Sequence, residues 1–198
     1  MKLAEERFKN TGTRIFVCPG NDDIFEIDEK FTSSDVVVNC EGKVVQLDGS
    51  YEMISTGYSN ITPWKCPRDI PDSELGSKVE QMIASVSNLE TCIFNLHVPP
   101  YDSTLDMAPR LDEKLQPVLQ SGAEPEMMPV GSLAVRQAIM RHQPLLGLHG
   151  HIHESKGTIK LGRTLCINPG SEYSEGILKG ALITVEGNKI INHQLTAG

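Results

Sequence analysis

An α/β fold, a two-sheet β-sandwich flanked by helices, is what this 198-residue sequence predicts, on three observations. Apolar segments run straight into polar, ligand-type residues at three places: Arg14-Ile-Phe-Val-Cys-Pro-Gly20-Asn21-Asp22, Thr91-Cys-Ile-Phe-Asn-Leu-His97, and Pro144-Leu-Leu-Gly-Leu-His149-Gly150-His151-Ile152-His153. Buried parallel strands have this form, because both faces are covered and the C-terminal ends carry the site. Two helical stretches, Ser73 to about Val86 and Ser132 to Arg141, stand between those strands. Short strand-like runs separated by Gly, Asn and Asp fill most of the remainder.

In chain order, Leu3 to Lys9 read as the last turns of a helix ended by Asn10 and Gly12. The strand Arg14 to Cys18 follows, then the Gly20-Asn21 loop and a short helix-like stretch near Asp23 to Phe31. Val36 to Asn39, Lys43 to Leu47 and Tyr51 to Tyr58 read as strands, with Cys40-Glu41-Gly42 and Asp48-Gly49 as the turns between them. Pro63 to Pro71 reads as loop, and the next helix has Glu74 in its first turn. After His97, the long stretch from Pro99 to Gly131 is broken by prolines and glycines. A connection of that length in a compact domain usually does something, so it is expected as a wall or lid beside the site, with Tyr101 and Arg110 offered to a phosphate or an aromatic ring. The tail reads as a β-meander: Gly157 to Leu161, Thr164 to Asn168, Gly180 to Val185 and Ile190 to Leu195, with Glu186-Gly187-Asn188 as hairpin punctuation. His193 falls there as a half-exposed strand residue and not a ligand.

Length allows one domain over residues 1–198 with a sizeable core. A net charge of −8 and scattered Lys and Arg argue against a nucleic-acid surface, which would show a basic stripe. No apolar run reaches membrane-spanning length, and the N-terminal residues lack the apolar core of a signal peptide. The five cysteines are odd in number and lack Cys-x-x-Cys spacing, and Cys18, Cys92 and Cys166 lie in apolar runs. They read as reduced core residues, in keeping with a cytoplasmic location.

Four of the six histidines stand at or just after the ends of two apolar strands. With Asn21 at the end of a third, they read as a metal centre with mixed N/O ligands, which suits Zn, Mn, Fe, Ni or Co better than Ca or Mg.

Gly20-Asn21-Asp22, His97 and Gly150-His151-Ile152-His153, in that order, resemble the last three motifs of the calcineurin-like metallophosphoesterases. The wording around them, His149-Gly-His-Ile-His-Glu-Ser and Ile167-Asn168-Pro169-Gly170-Ser171, is similar to the small bacterial and archaeal phosphoesterases of that family. The resemblance covers essentially the whole chain. It implies a metallophosphoesterase-like fold and hydrolysis of small phosphomono- or phosphodiesters at a centre of two divalent transition metals (Mn, Fe, Zn, Ni or Co). Asn21, His97 and His151 would bind one metal and His153 the other. Relatives mostly carry a leaving-group-protonating His where this chain has Asp22. A carboxylic acid could serve there only if burial or nearby negative charge held its proton on. His149 is the alternative donor, or else a supporting strand-end residue.

The family also has Asp-x-His and Gly-Asp motifs ahead of the Gly-Asn motif. Neither occurs in the nineteen residues before Gly20, and Asp-x-His does not occur downstream. The resemblance therefore implies an N-terminally truncated fold with half of the site missing. The alternatives are a non-catalytic metal-binding protein that keeps one half-site, or a split enzyme completed by a partner chain. Loss of neighbouring strands would leave the Arg14–Cys18 strand with an open apolar edge, which predicts marginal stability, aggregation or a homo-oligomer through that edge.

Overall fold

A computed structural model of the chain describes residues 2–31, 34 and 36–198. Helix α1 (Lys2–Phe8) has Glu5 in its first turn and Arg7 in its last, a charge order that complements the helix dipole. Gly12, at φ 74°, turns the chain toward strand β1 (Ile15–Val17). The Asn21 loop leads to a single helical turn, α2 (Ile27–Lys30), and to β2 (Val37–Asn39), which pairs with β1 in parallel. Antiparallel β3 (Lys43–Gln46) and β4 (Glu52–Thr56) are followed by a short parallel pair, β5 (Ser59–Asn60) with β6 (Asp69–Ile70). Then come helix α3 (Asp72–Ile83), β7 (Ile93–Leu96), an antiparallel pair β8 (Met107–Pro109) and β9 (Met127–Pro129), and helix α4 (Leu133–His142). The chain closes with β10 (Leu146–Leu148), β11 (Gly157–Leu161), β12 (Thr164–Asn168), β13 (Lys179–Glu186) and β14 (Lys189–Ala197).

One mixed sheet of six strands, in the order β11-β12-β10-β7-β4-β3, organises the molecule. Its four inner strands β12, β10, β7 and β4 run parallel, and the two edges are antiparallel. The inner strands are apolar on both faces, as a covered parallel sheet requires. On one face Ile54, Phe94, Leu96 and Cys166 pack against Leu75, Val79, Met82 and Ile83 of α3 and Val135, Ala138 and Ile139 of α4. The α3 positions recur at i, i+4, i+7 and i+8, a single helical stripe. Full burial of each such side chain stabilises by about 1.5–3 kcal/mol. Gly76 lets the helices approach, since a Cβ there would lie 3.1 Å from Cβ of Ala134.

On the other face Met53, Ile93, Leu146, Leu165 and Ile167 meet Cys40, Phe16 beside β2, and the inward residues Ala181, Ile183, Val185, Ile190 and Leu195 of the β13–β14 hairpin. This second layer consists of two separate two-stranded pieces, β1–β2 and β13–β14.

The tail is therefore not one meander. β11 and β12 belong to the central sheet, while β13 pairs only with β14 among the described residues. β11 and β13 alternate inward and outward residues in the same way, and only the packing partners differ. His193 lies in β14 and is exposed. The stretch expected as loop between Pro63 and Pro71 contains β6, whose two residues show no periodicity to read. Helix α3 begins at Asp72, behind Pro71, and stops at Ile83. Helix α4 starts as its Ser132 cap predicts, with Ser132 Oγ accepting from the Val135 amide. Cys92 and Cys166 are fully buried and Cys18 half-buried, all as free thiols. Among the described residues, no helix is long and apolar enough to cross a membrane.

Candidate metal centre

The end of β1 meets the C-terminal ends of the inner strands β7 and β10. His97 is the residue after β7, and its amide continues the ladder to Thr56 O at 2.9 Å. His149 follows β10 and its amide bonds Ile167 O, while the Gly150 amide bonds His97 O, both at 2.9 Å. The next residue reverses the chain: the Ile152 amide bonds Gly150 O at 2.6 Å with His151 at φ 62°. That is a γ-turn with positive φ, a rare and strained conformation for a residue with a Cβ. From β1, the Pro19-Gly20 turn carries Asn21 to the same place. A Cβ at Gly20 would stand 3.1 Å from the His97 ring, so the ring would have to shift by a few tenths of an ångström.

The three side chains converge. Asn21 Oδ1 lies 3.1 Å from His97 Nε2 and 3.1 Å from His151 Nδ1. The two imidazoles stand edge to face with centroids 5.2 Å apart. Donors that each bind one cation at about 2.0–2.2 Å are themselves roughly 3 Å apart, so the spacing fits a common metal. The donor chemistry fits as well. Burial, aided by the neighbouring His151, His153 and His149, brings His97 down to about 3. Burial brings His151 down to about 4, against an opposing pull from Asp69. Both rings are neutral at pH 7, the form that binds metal. Among the described residues, no group of three or more His, Cys, Asp or Glu side chains is assembled to hold a metal, so the convergent set is two imidazoles and one amide.

Supporting residues lie around it. Asn21 Nδ2 donates to Asp69 Oδ1 at 2.9 Å. The Arg68 amide donates to Asn21 O at 3.0 Å, and its buried guanidinium holds Asp23 O, Ile24 O and Asp28 Oδ1. At the histidine turn, fully buried Asn168 donates through Nδ2 to Leu105 O, Gly150 O and Ile152 O, and its Oδ1 accepts from the Gly170 amide. The Asn-Pro-Gly-Ser wording thus has a physical role, as the clamp on the strained turn. Asp69 left no such trace, because its partner lies 48 residues away in sequence.

The other expected site residues are placed differently. His153 is exposed and stacks edge-on against Tyr173, with centroids 5.6 Å apart, outside the Asn21 contact set. His149 is buried, with Nδ1 bonded to Leu96 O at 2.9 Å, and its ring occupies the space that a Gly147 side chain would take. Burial brings it down to about 4, and among the described residues Nε2 has no hydrogen-bond partner. Its geometry is that of a strut between β7 and β10. Asp22 is exposed. Arg110 is occupied by Glu126, at 2.8 Å through Nε and 2.6 Å through Nη2, and Tyr101 lies 40% exposed with its carbonyl bonded to Arg136. The Pro99–Gly131 stretch is pinned instead by buried Asp106, which accepts from the Asp102, Ser103 and Gly131 amides. A cleft of about 470 Å³ opens beside His97 and Gly150, walled by Phe16, Phe31, Thr56 and Asn95.

No family model matches the sequence. An uncharacterized protein of Methanocaldococcus jannaschii is 28% identical over 157 residues, 78% of this chain and 63% of that protein. The chain thus spans less than two thirds of that relative's length. One solved chain superposes with a TM-score of 0.61 at 18% identity, over 100% of this chain and 71% of its own. The protein TT1561 of Thermus thermophilus superposes with a TM-score of 0.57 at 19% identity, over 92% and 71%. These two structures share the fold. The sulfate thiohydrolase SoxB of T. thermophilus, in complex with glycerol, reaches only 0.38 at 13% identity, over 98% of this chain and 30% of its own; a likeness of that size carries nothing to this chain.

Proposed function

We propose that this chain is a calcineurin-like metallophosphoesterase component whose Asn21, His97 and His151 hold one divalent transition metal. The observation that carries the reading is the pair of 3.1 Å contacts from two imidazole nitrogens to a single amide oxygen, at the ends of three strands. The order of the Gly-Asn, His and Gly-His-x-His motifs supports it independently. A metal bound there supplies Lewis-acid polarisation of a phosphoryl oxygen and a water that ionises near neutral pH. Asn21 ligates without adding charge, and the neutral rings of His97 and His151 offer lone pairs without first losing a proton. His153, on the exposed side, is the residue available to a second metal. The cleft beside His97 has room for a small phosphate ester. Its described walls are apolar or uncharged polar residues, and of the three proposed ligands His97 lines it.

A second reading is favoured by the same contacts. Asn21 Oδ1 has two lone pairs and two imidazole nitrogens in hydrogen-bonding range, so the trio is also a satisfied structural network without metal. Equilibrium dialysis with Mn(II), Co(II) and Zn(II) separates the two. The metal reading predicts one tightly bound equivalent, lost in His151→Ala, and the structural reading predicts none. With only these ligands, hydrolysis of bis(p-nitrophenyl) phosphate by the 198-residue chain is expected to stay near background. Robust Mn-dependent turnover that disappears in His151→Ala would contradict that expectation and show a more complete site.

A further inference from the structure

We infer that Asp69 is the positioning residue of this site: it selects which end of the Asn21 amide faces the two histidines, and thereby sets metal affinity. The inference rests on the metal reading above.

An asparagine amide presents an oxygen on one side and an NH₂ on the other, similar in size and opposite in hydrogen-bonding sense. Only the oxygen can ligate a metal. Near Asn21 the two histidines do not impose the choice, because a neutral imidazole nitrogen either donates or accepts according to its tautomer. Asp69 does. Its carboxylate accepts from Asn21 Nδ2 and Ser59 Oγ through Oδ1, and from the Thr62 amide, Thr62 Oγ1 and the Cys66 amide through Oδ2. Five donors converge on its two oxygens, so toward Asn21 the carboxylate stands as an acceptor. Rotating the Asn21 amide would set its oxygen against that carboxylate, so Nδ2 is held toward Asp69 and Oδ1 toward His97 and His151. The backbone bond from the Arg68 amide to Asn21 O fixes the loop from which the amide projects. The neighbouring pair Arg68-Asp69 thus grips both the main chain and the side chain of one ligand.

The test is Asp69→Asn. The Thr62 and Cys66 amides keep the new side chain's oxygen in the place of Oδ2, so its NH₂ faces Asn21 and favours the rotated amide at nearly unchanged shape. Co(II) affinity, read by calorimetry and by the visible Co(II) absorption band, is expected to fall about 10–100-fold, the usual cost of losing a partner that orients a metal ligand. Thr62→Val is the control. It removes one hydrogen bond to the same carboxylate without touching Asn21, so it should lower the melting temperature yet leave Co(II) affinity within about twofold of the wild-type value. Asp69→Asn binding as tightly as the wild type would overturn the inference. So would Thr62→Val weakening Co(II) as much as Asp69→Asn, because Asp69 would then be acting only through loop stability. If the wild-type chain binds no His151-dependent Co(II) at all, the metal reading itself is wrong and the inference goes with it.

Discussion

At residue scale the revealing position is His151, where a ligand-type side chain is held at φ 62°. A residue with a Cβ is strained there by about 1–2 kcal/mol and glycine is not. His151→Gly and His151→Ala both delete the imidazole, so the difference between them isolates the backbone. His151→Gly should be more stable than His151→Ala by about 1 kcal/mol in urea denaturation, and equal stabilities would mean that the turn relaxes without strain. The buried histidines make a second prediction. Free histidine titrates near 6.5, whereas His97, His149 and His151 are brought down to about 3, 4 and 4. Below about pH 6.5 the unfolded chain therefore binds more protons than the native one, and stability falls as pH drops. The metal-free protein should keep its full stability above about pH 6.5 and lose it progressively toward pH 4. A urea midpoint unchanged between about pH 7.5 and 4.5 would contradict this.

At element scale the site is a property of strand ends. The apolar runs before His97 and His149 make β7 and β10 legible in the sequence, and the Ser132 cap makes α4 legible. Asn21, His97 and His151 are legible for the same reason, since each follows such a run. Long-range pairing is what the sequence hides. Asp69 and Asn168 act through hydrogen bonds that bridge 48, 18 and 16 residues, and no local periodicity encodes such a bond. Tyr101 and Arg110 lie close to His97 in sequence, but the chain is tied down by Asp106 and Arg110 meets Glu126 first. Asn168→Ala would take their side-chain partner from Leu105 O, Ile152 O and the Gly170 amide, while Gly150 O keeps the Ile152 amide. It should cost about 3 kcal/mol, measured by chemical denaturation. A cost below about 1 kcal/mol would show that water or a shifted backbone replaces the clamp.

At the scale of the whole molecule, the covered and uncovered faces differ. The helices seal one side of the central sheet, while β1 finds only β2 as a ladder partner among the described residues. The β13–β14 hairpin also turns Leu182 and Ile191 outward, at 64% and 56% exposure, beside Leu178 at 79%. Apolar patches and unpaired edges favour self-pairing, and we propose that the isolated chain associates with itself. Sedimentation velocity should show a concentration-dependent shift to species larger than the monomer, and a strict monomer across the micromolar range would refute this. Anomalous diffraction from crystals soaked in Zn(II) or Mn(II) tests whether Asn21, His97 and His151 hold one metal. A peak is expected about 2.0–2.2 Å from Asn21 Oδ1, His97 Nε2 and His151 Nδ1 together. A peak bound elsewhere, or none with the 3.1 Å contacts unchanged, would contradict it.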